Sequence, residues 1–180
     1  MSRSMATDFS ENLPRLDASS ASSGLGSPAR RPLYTPDERR RRDATVWTLV
    51  QGILAPLQFL VLLISLSLIG YAWTTNSHWD WALWSVVVKT GVLYVIMVTG
   101  AIWEKVVFGQ YLFAPSFFWE DVVSMGVIGL HTAYLLAWLQ GDAWMGLHAQ
   151  IGLALVAYAA YVVNAAQFLW KLRMARSQRP

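Results

Sequence analysis

An all-α integral membrane protein with four transmembrane helices is the fold class this chain predicts, and three observations carry it. Four long stretches are almost free of charge: Val46 to Trp79 has no charged residue, Trp81 to Trp103 has only Lys89, and Val122 to Gln140 and Ala143 to Trp170 have none. Each reaches the roughly 17–25 residues that a helix needs to cross a bilayer. The ten tryptophans fall in two bands. Trp47, Trp103, Trp119 and Trp170 mark one end of the spans, and Trp73, Trp79, Trp81, Trp84, Trp138 and Trp144 mark the other, as interfacial aromatic belts require. Finally, all of the 14 lysines and arginines except Lys89 and Lys105 flank the two ends of the chain, while the turns near Asp80 and Asp142 carry none. Cytoplasmic loops are the basic ones, so both termini and the connection between the second and third spans are expected on the cytoplasmic side.

The composition agrees. Of 180 residues 55% are hydrophobic and 14% charged, a balance that favours one small membrane domain over a soluble one. With no cysteine there is no disulfide, thiolate metal site or cysteine nucleophile. The net charge of +3 sits in tails beside membrane spans, which reads as a topology signal and not as a nucleic-acid surface.

Residues 1–33 are rich in Ser, Ala, Gly and Pro and are expected to form a disordered tail. They lack the apolar core of a secretory signal peptide, so the first span should remain in the mature protein. Order is expected from Thr35, where Thr35-Pro36-Asp37-Glu38 reads as a capping box with proline at the first helical position, opening a helix through Arg39 to Arg42. The first span follows within Val46 to Trp73, with Pro56 expected to bend it. The second covers Trp81 to Trp103, the third Val122 to Gln140, and the fourth lies within Ala143 to Trp170, leaving a basic tail over residues 174–180.

Between the second and third spans, Glu104 to Asp121 brackets an aromatic run (Phe108, Tyr111, Phe113, Phe117, Phe118, Trp119) with charged pairs, and Gly109 and Pro115 interrupt it. It is too short and too broken to span, so it reads as an interfacial or re-entrant connection. Carboxyl groups beside flat apolar walls suit a large planar hydrophobic substrate. The plainer reading is a lipid-facing loop with charges at helix ends.

Every span carries one polar seam. At about 100° per residue, Glu120, Ser124, His131, Tyr134 and Trp138 share a stripe on the third helix, with Gly126, Gly129 and Ala133 offering small surfaces for close helix contact. Lys89, Gly100 and Glu104 align on the second, Tyr161, Asn164 and Lys171 on the fourth with Gln167 at the margin, and Gln51, Gln58 and Ser65 on the first. Such seams fit a bundle with a polar interior. Gln58, Ser65 and Asn164 read first as interhelical hydrogen bonders. Lys89, about 12 Å from its helix end by rise per residue, is too deep to snorkel easily and calls for a partner or a cleft. His131, near mid-membrane, reads as a structural hydrogen bonder, a proton carrier or a ligand to a metal in the substrate.

Haem held between His131 and His148 is disfavoured, because the two differ by about one helical turn in depth. HExxH, GxGxxG, a Walker loop and a nucleophile elbow are all absent from the sequence. Two readings survive: acid and base chemistry on a hydrophobic substrate, or a small cation transporter or pigment-binding protein that uses Lys89, Glu104 and Glu120.

The runs Val87-Val88-Lys89-Thr90, Val98 to Pro115 and Phe117 to Met125, with His131-Thr132-Ala133-Tyr134, Tyr161 to Phe168 and Tyr34 to Arg39, resemble the bacteriochlorophyllide 3-vinyl hydratase family, also called 2-vinyl bacteriochlorophyllide hydratase. The resemblance extends from about Tyr34 to Arg173, which marks 34–173 as the hydratase domain. It implies a multi-pass protein of the bacterial inner (cytoplasmic or intracytoplasmic) membrane. That protein would add water to the 3-vinyl group of chlorophyllide a, or of a related 3-vinyl chlorin, to give the 3-(1-hydroxyethyl) product. It also implies no cofactor, since the magnesium arrives with the substrate. Other partners would be membrane lipid and, by association, further pigment-synthesis enzymes or a second copy of the chain.

On that reading Glu104 and Glu120 are the leading candidates for acid and base, because a carboxyl group in a poorly hydrated cleft can stay neutral and donate a proton. Asp121, pointing about 100° away from Glu120 around the helix, would hold the water or stabilise the cation, and His131 is a candidate ligand to the substrate magnesium. Lys89, Lys105 or Lys171 would meet the propionate. Tyr111, Trp119 and Tyr134 would line the pigment site, with Asn164 and Gln167 orienting the water. The opposing reading of Glu120-Asp121 is helix-dipole stabilisation, which would keep both ionised.

Overall fold

The computed structural model describes residues 33–177, so all but the last residue of the expected N-terminal tail and the final three residues of the chain lie outside it. Thr35 opens the first helix, α1 (Pro36–Ala44), with both halves of the capping box formed: the Thr35 backbone N–H donates to the Glu38 carboxylate at 2.7 Å and the Glu38 N–H to the Thr35 hydroxyl at 3.3 Å. Four long helices follow: α2 (Val46–Thr75), α3 (Trp79–Phe108), α4 (Phe118–Gln140) and α5 (Leu147–Ser177). All four are long and apolar enough to cross a membrane, and α2 continues through Pro56 without interruption.

Sharp turns reverse the chain. Asn76 and His78 adopt left-handed backbone between α2 and α3. Asparagine tolerates that region better than most residues. Gly109 ends α3 at φ 87°, where only glycine is free of strain, and returns its N–H to the Lys105 carbonyl at 3.0 Å. The helical bounds are wider than the uncharged stretches suggest: α3 continues through Glu104 to Phe108 and α4 begins at Phe118, which shortens the connection to 109–117. Glu104 and Asp121 therefore lie on helices, each about one turn inside the end.

Within the bundle α2 packs on α3, α4 on α5, and α3 on α4. A shared core of Leu62, Ile69, Val86, Leu93, Val127, Tyr134, Ile151 and Tyr158 draws on all four long helices. Ala72, Ala82, Ala137, Ala154 and Ala157 are fully buried, so alanine provides the close approach of helices. The glycine expectation for α4 is corrected here: Gly126 and Gly129 are exposed, and an added Cβ would meet nothing within 4 Å. Their angular positions explain it. At 100° per residue both lie well away from the inward row of Ser124, Val127, His131 and Tyr134.

The outer surface carries Leu49, Ile53, Leu60, Ile64, Val95 and Val162, as a lipid-facing bundle requires. The tryptophan bands also form. Trp73 and Trp79 pack edge-on or tilted against His148 at one end and Trp84 meets Trp138 nearby, while Trp103 packs against Phe108 and Phe117 at the other. At that second end a small cluster of Tyr34, Val107 and Phe117, flanked by Leu33, Trp103, Phe108 and Phe168, joins the N-terminal segment to the α3–α4 connection. Ser116 fixes the join by donating its hydroxyl to the Leu33 carbonyl at 2.9 Å. Burial raises the pKa of the Tyr34 phenol above its ordinary value, and the Arg42 guanidinium sits 4.8 Å from its ring centre.

Candidate active site

Where α3 meets α4, three carboxyl groups lie buried within one helical turn of the connection: Glu104, Glu120 and Asp121. The connection turns inward over them. Phe113 adopts a left-handed backbone at φ 60°, a conformation unfavourable for a bulky residue, and its N–H donates to Asp121 Oδ2 at 2.7 Å. The next N–H, of Ala114, reaches Glu104 Oε2 at 3.4 Å. Held by neighbouring N–H groups, Glu104 and Asp121 lie within electrostatic reach of one another. Two carboxylates buried side by side repel one another, so such a pair favours holding a single proton between them.

Glu120 takes a different partner. Its Oε2 accepts from the Lys171 ammonium of α5 at 2.6 Å, and that ammonium also lies 5.1 Å from the centre of the Phe117 ring. Glu104 thus lies beside Asp121, whereas the sequence reading took Glu104 and Glu120 together as the leading acid and base. Their sequence positions at the two ends of one connection do not fix which side chains meet. The inward turn at Phe113 and the distance across from α3 decide which carboxyl meets which. Glu120 and Lys171 still act electrostatically on Asp121, so the ion pair and the carboxyl pair form one cluster.

Deeper in the bundle the polar seams meet across helices. Asn164 donates its amide to Ser124 at 2.8 Å. Lys89 is fully buried, donates to the Gln58 amide oxygen and lies 3.7 Å from the centre of the Tyr161 ring. His131 is fully buried too: its Nδ1 is 2.8 Å from the Val127 carbonyl, its ring faces Tyr158 at 5.9 Å, and Lys89 is within electrostatic reach. Tyr158 shares a 2.6 Å hydrogen bond with Ser65, which shares another with Ser85. Tyr134, also in the interior, donates to the Leu83 carbonyl at 3.1 Å. His148 stands apart from His131, among the tryptophans of the opposite end.

The remaining candidates face outward. Lys105 donates to the Gly109 carbonyl at 2.8 Å and lies 5.3 Å from the centre of the exposed Tyr111 ring. Trp119 is 71% exposed, directed away from the carboxyl pair beside it in sequence. Gln167 is exposed as well, on the rim of a groove of about 510 Å³ bounded by Glu120, Val163, Ala166, Trp170 and Lys171. Sequence reasoning did not find Tyr158, nor the two backbone N–H groups at Phe113 and Ala114. Tyr158 carries a weak signal, one turn before Tyr161 on the polar side of its helix. The backbone donors carry none, because a left-handed phenylalanine leaves no mark in composition.

Residues 34–174 match the family described as 2-vinyl bacteriochlorophyllide hydratase. The 2-vinyl bacteriochlorophyllide hydratase of Cereibacter sphaeroides is 66% identical over 150 residues, covering 83% of this chain and 91% of its own length. That of Rhodobacter capsulatus is 61% identical over 152 residues, covering 84% of this chain and 87% of its own. No solved structure matches the chain. The matched segment contains all four long helices up to Met174 and the whole carboxyl cluster. By this extent of similarity the chain belongs to the 2-vinyl bacteriochlorophyllide hydratase family.

Proposed function

We propose that this protein hydrates the 3-vinyl group of chlorophyllide a or a closely related vinyl chlorin, with Glu104 and Asp121 as its acid and base. The observation that carries the assignment is the buried carboxyl pair held by the neighbouring N–H groups of Phe113 and Ala114. Hydration needs a proton delivered to the terminal vinyl carbon, a water for the carbon next to the ring, and a base for that water's second proton. A pair holding one proton and one charge supplies both functions. The pair's proton goes to the terminal CH₂ as the C=C π bond breaks, leaving a cation delocalised into the macrocycle. The pair, now fully ionised, stabilises that cation. Water forms the new C–O bond and returns its proton to the pair, so the enzyme ends as it began. General acid and base groups each contribute about 10²- to 10⁴-fold.

No redox cofactor enters this balance. The substrate brings its own magnesium; His131 Nε2, buried without a hydrogen-bond partner among the described residues, would be its ligand only in a pose deeper than the groove beside Glu120. His131 lies deep in the bundle, and its use as a ligand would require the interior to open. Incubating membranes that carry the protein with chlorophyllide a in oxygen-18 water tests the reaction directly. Solvent oxygen is expected in a 1-hydroxyethyl product, and pigment recovered unchanged would overturn the reading.

For topology, the basic ends favour both termini and the carboxyl cluster at the cytoplasmic face of a bacterial inner membrane. In a chain without natural cysteines, Ser77→Cys and Ala143→Cys are expected to react with an impermeant thiol reagent outside spheroplasts, and Gln110→Cys is not. Outside labelling of Gln110→Cys would reverse the orientation.

A further inference from the structure

The groove beside Glu120 lies where the carboxyl cluster meets the lipid-facing side of α5. Its wall is apolar, from Val163 and Ala166 to the indole of Trp170, and its polar end is Lys171 with Glu120. Along α5, Val163 lies about 12 Å and Ala166 about 7–8 Å deeper than Lys171. The groove thus runs as a greasy stretch from the bilayer side to a cation near the C-terminal part of α5, with Met174 about one turn beyond Lys171. The groove is open along its length and not an enclosed cavity.

Three lysines compete for an acidic ligand, and their surroundings separate them. Lys89 is fully buried and engaged by Gln58 and Tyr161. Lys105 is turned onto the Gly109 carbonyl beside Tyr111, outside this groove. Lys171 alone of the three borders the groove, and Glu120 takes only one of the three donors its ammonium carries. Gln167, exposed on the same rim, adds an amide that can donate.

We infer that this groove is the docking site for a planar tetrapyrrole bearing one free carboxylate, with that carboxylate on Lys171, the macrocycle edge on Val163 and Ala166, and Trp170 against its face. The inference rests on the hydratase reading and adds to it a specificity: the enzyme selects the free acid over the ester. Lys171 then bridges the substrate carboxylate and Glu120, one residue from Asp121, so docking holds the pigment beside the carboxyl pair.

The test compares chlorophyllide a with its propionate methyl ester in detergent, by initial rates. One charge-assisted hydrogen bond corresponds to roughly tenfold or more, so the wild-type protein is expected to show about that preference in kcat/KM for the acid, expressed in KM. Lys171→Gln should bring the two pigments to within about threefold by losing the acid's advantage, and Lys171→Arg should keep the preference, since either cation donates to a carboxylate. Equal kcat/KM for acid and ester in the wild-type protein overturns the carboxylate site while leaving hydration intact. That comparison needs no variant, so it decides even if Lys171→Gln does not fold. Failure to hydrate either pigment would instead overturn the hydratase reading and this inference with it. An anionic lipid in the groove would appear as a KM that rises with phosphatidylglycerol in mixed micelles alongside equal use of acid and ester, which also overturns the proposal.

Discussion

Glu104→Gln and Asp121→Asn are each expected to lower turnover about 10²-fold or more, with pigment binding largely retained. Each substitution keeps the shape of its side chain and replaces a proton-exchanging group by an amide. The partner then loses the carboxyl with which it shares a proton, so the pair can no longer be both donor and acceptor. Because the two act as one unit, Glu104→Gln/Asp121→Asn should be scarcely worse than either single variant. Glu120→Gln should lose less turnover than either, since its carboxylate faces Lys171 outside the pair. Turnover and pigment affinity of the purified variants in detergent check this. Multiplicative losses in the double variant, or a Glu120→Gln defect larger than that of Asp121→Asn, would show that the acid and base are divided differently.

Gln58→Leu is expected to destabilise the bundle by about 2–3 kcal/mol, the cost of leaving a charged hydrogen-bonding group buried without its acceptor. Lys89 is fully buried and donates its side-chain hydrogen bond to the Gln58 amide oxygen, with the Tyr161 ring face beside it. Replacing both groups removes the problem at its source, so Gln58→Leu/Lys89→Met should unfold within about 1 kcal/mol of the parent. Ser65→Ala, which breaks hydrogen bonds between neutral groups, should cost nearer 0.6 kcal/mol. Unfolding in mixed detergent micelles, followed by helical circular dichroism, measures all three. Equal losses in the single and double variants would mean that the lysine is not stranded by the loss of Gln58.

The helices and their inward faces were legible because charge and aromatic placement follow the bilayer, which acts on every residue of a span in the same way. Lys89 had to find a partner at its depth, and Gln58 lies on the seam that supplies it. The buried row of Glu120, Ser124, His131 and Tyr134 followed from rotation along one helix. The Gly126 and Gly129 surface did not, since small residues mark close packing only when they share the buried angle, and alanines filled that role instead. Pairing across helices was less accessible still. Which carboxyl meets Glu104 depends on how far α3 extends and on the left-handed turn at Phe113, and neither is written in the periodicity of α3 or α4.

The hydrogen bonds that hold the carboxyl pair close over 8 and 10 residues, whereas the Lys171–Glu120 pair closes over 51. Short closures cost less chain entropy. In a chain made from its N-terminus, the α3–α4 hairpin can therefore enter the membrane with Glu104 and Asp121 already capped by the N–H groups of Ala114 and Phe113. Glu120 has to wait for its counter-ion until α5 arrives. Biogenesis thus separates what the folded cluster combines: on the proposed roles, the hairpin carrying the carboxyl pair can be complete before the lysine that would hold the substrate is made.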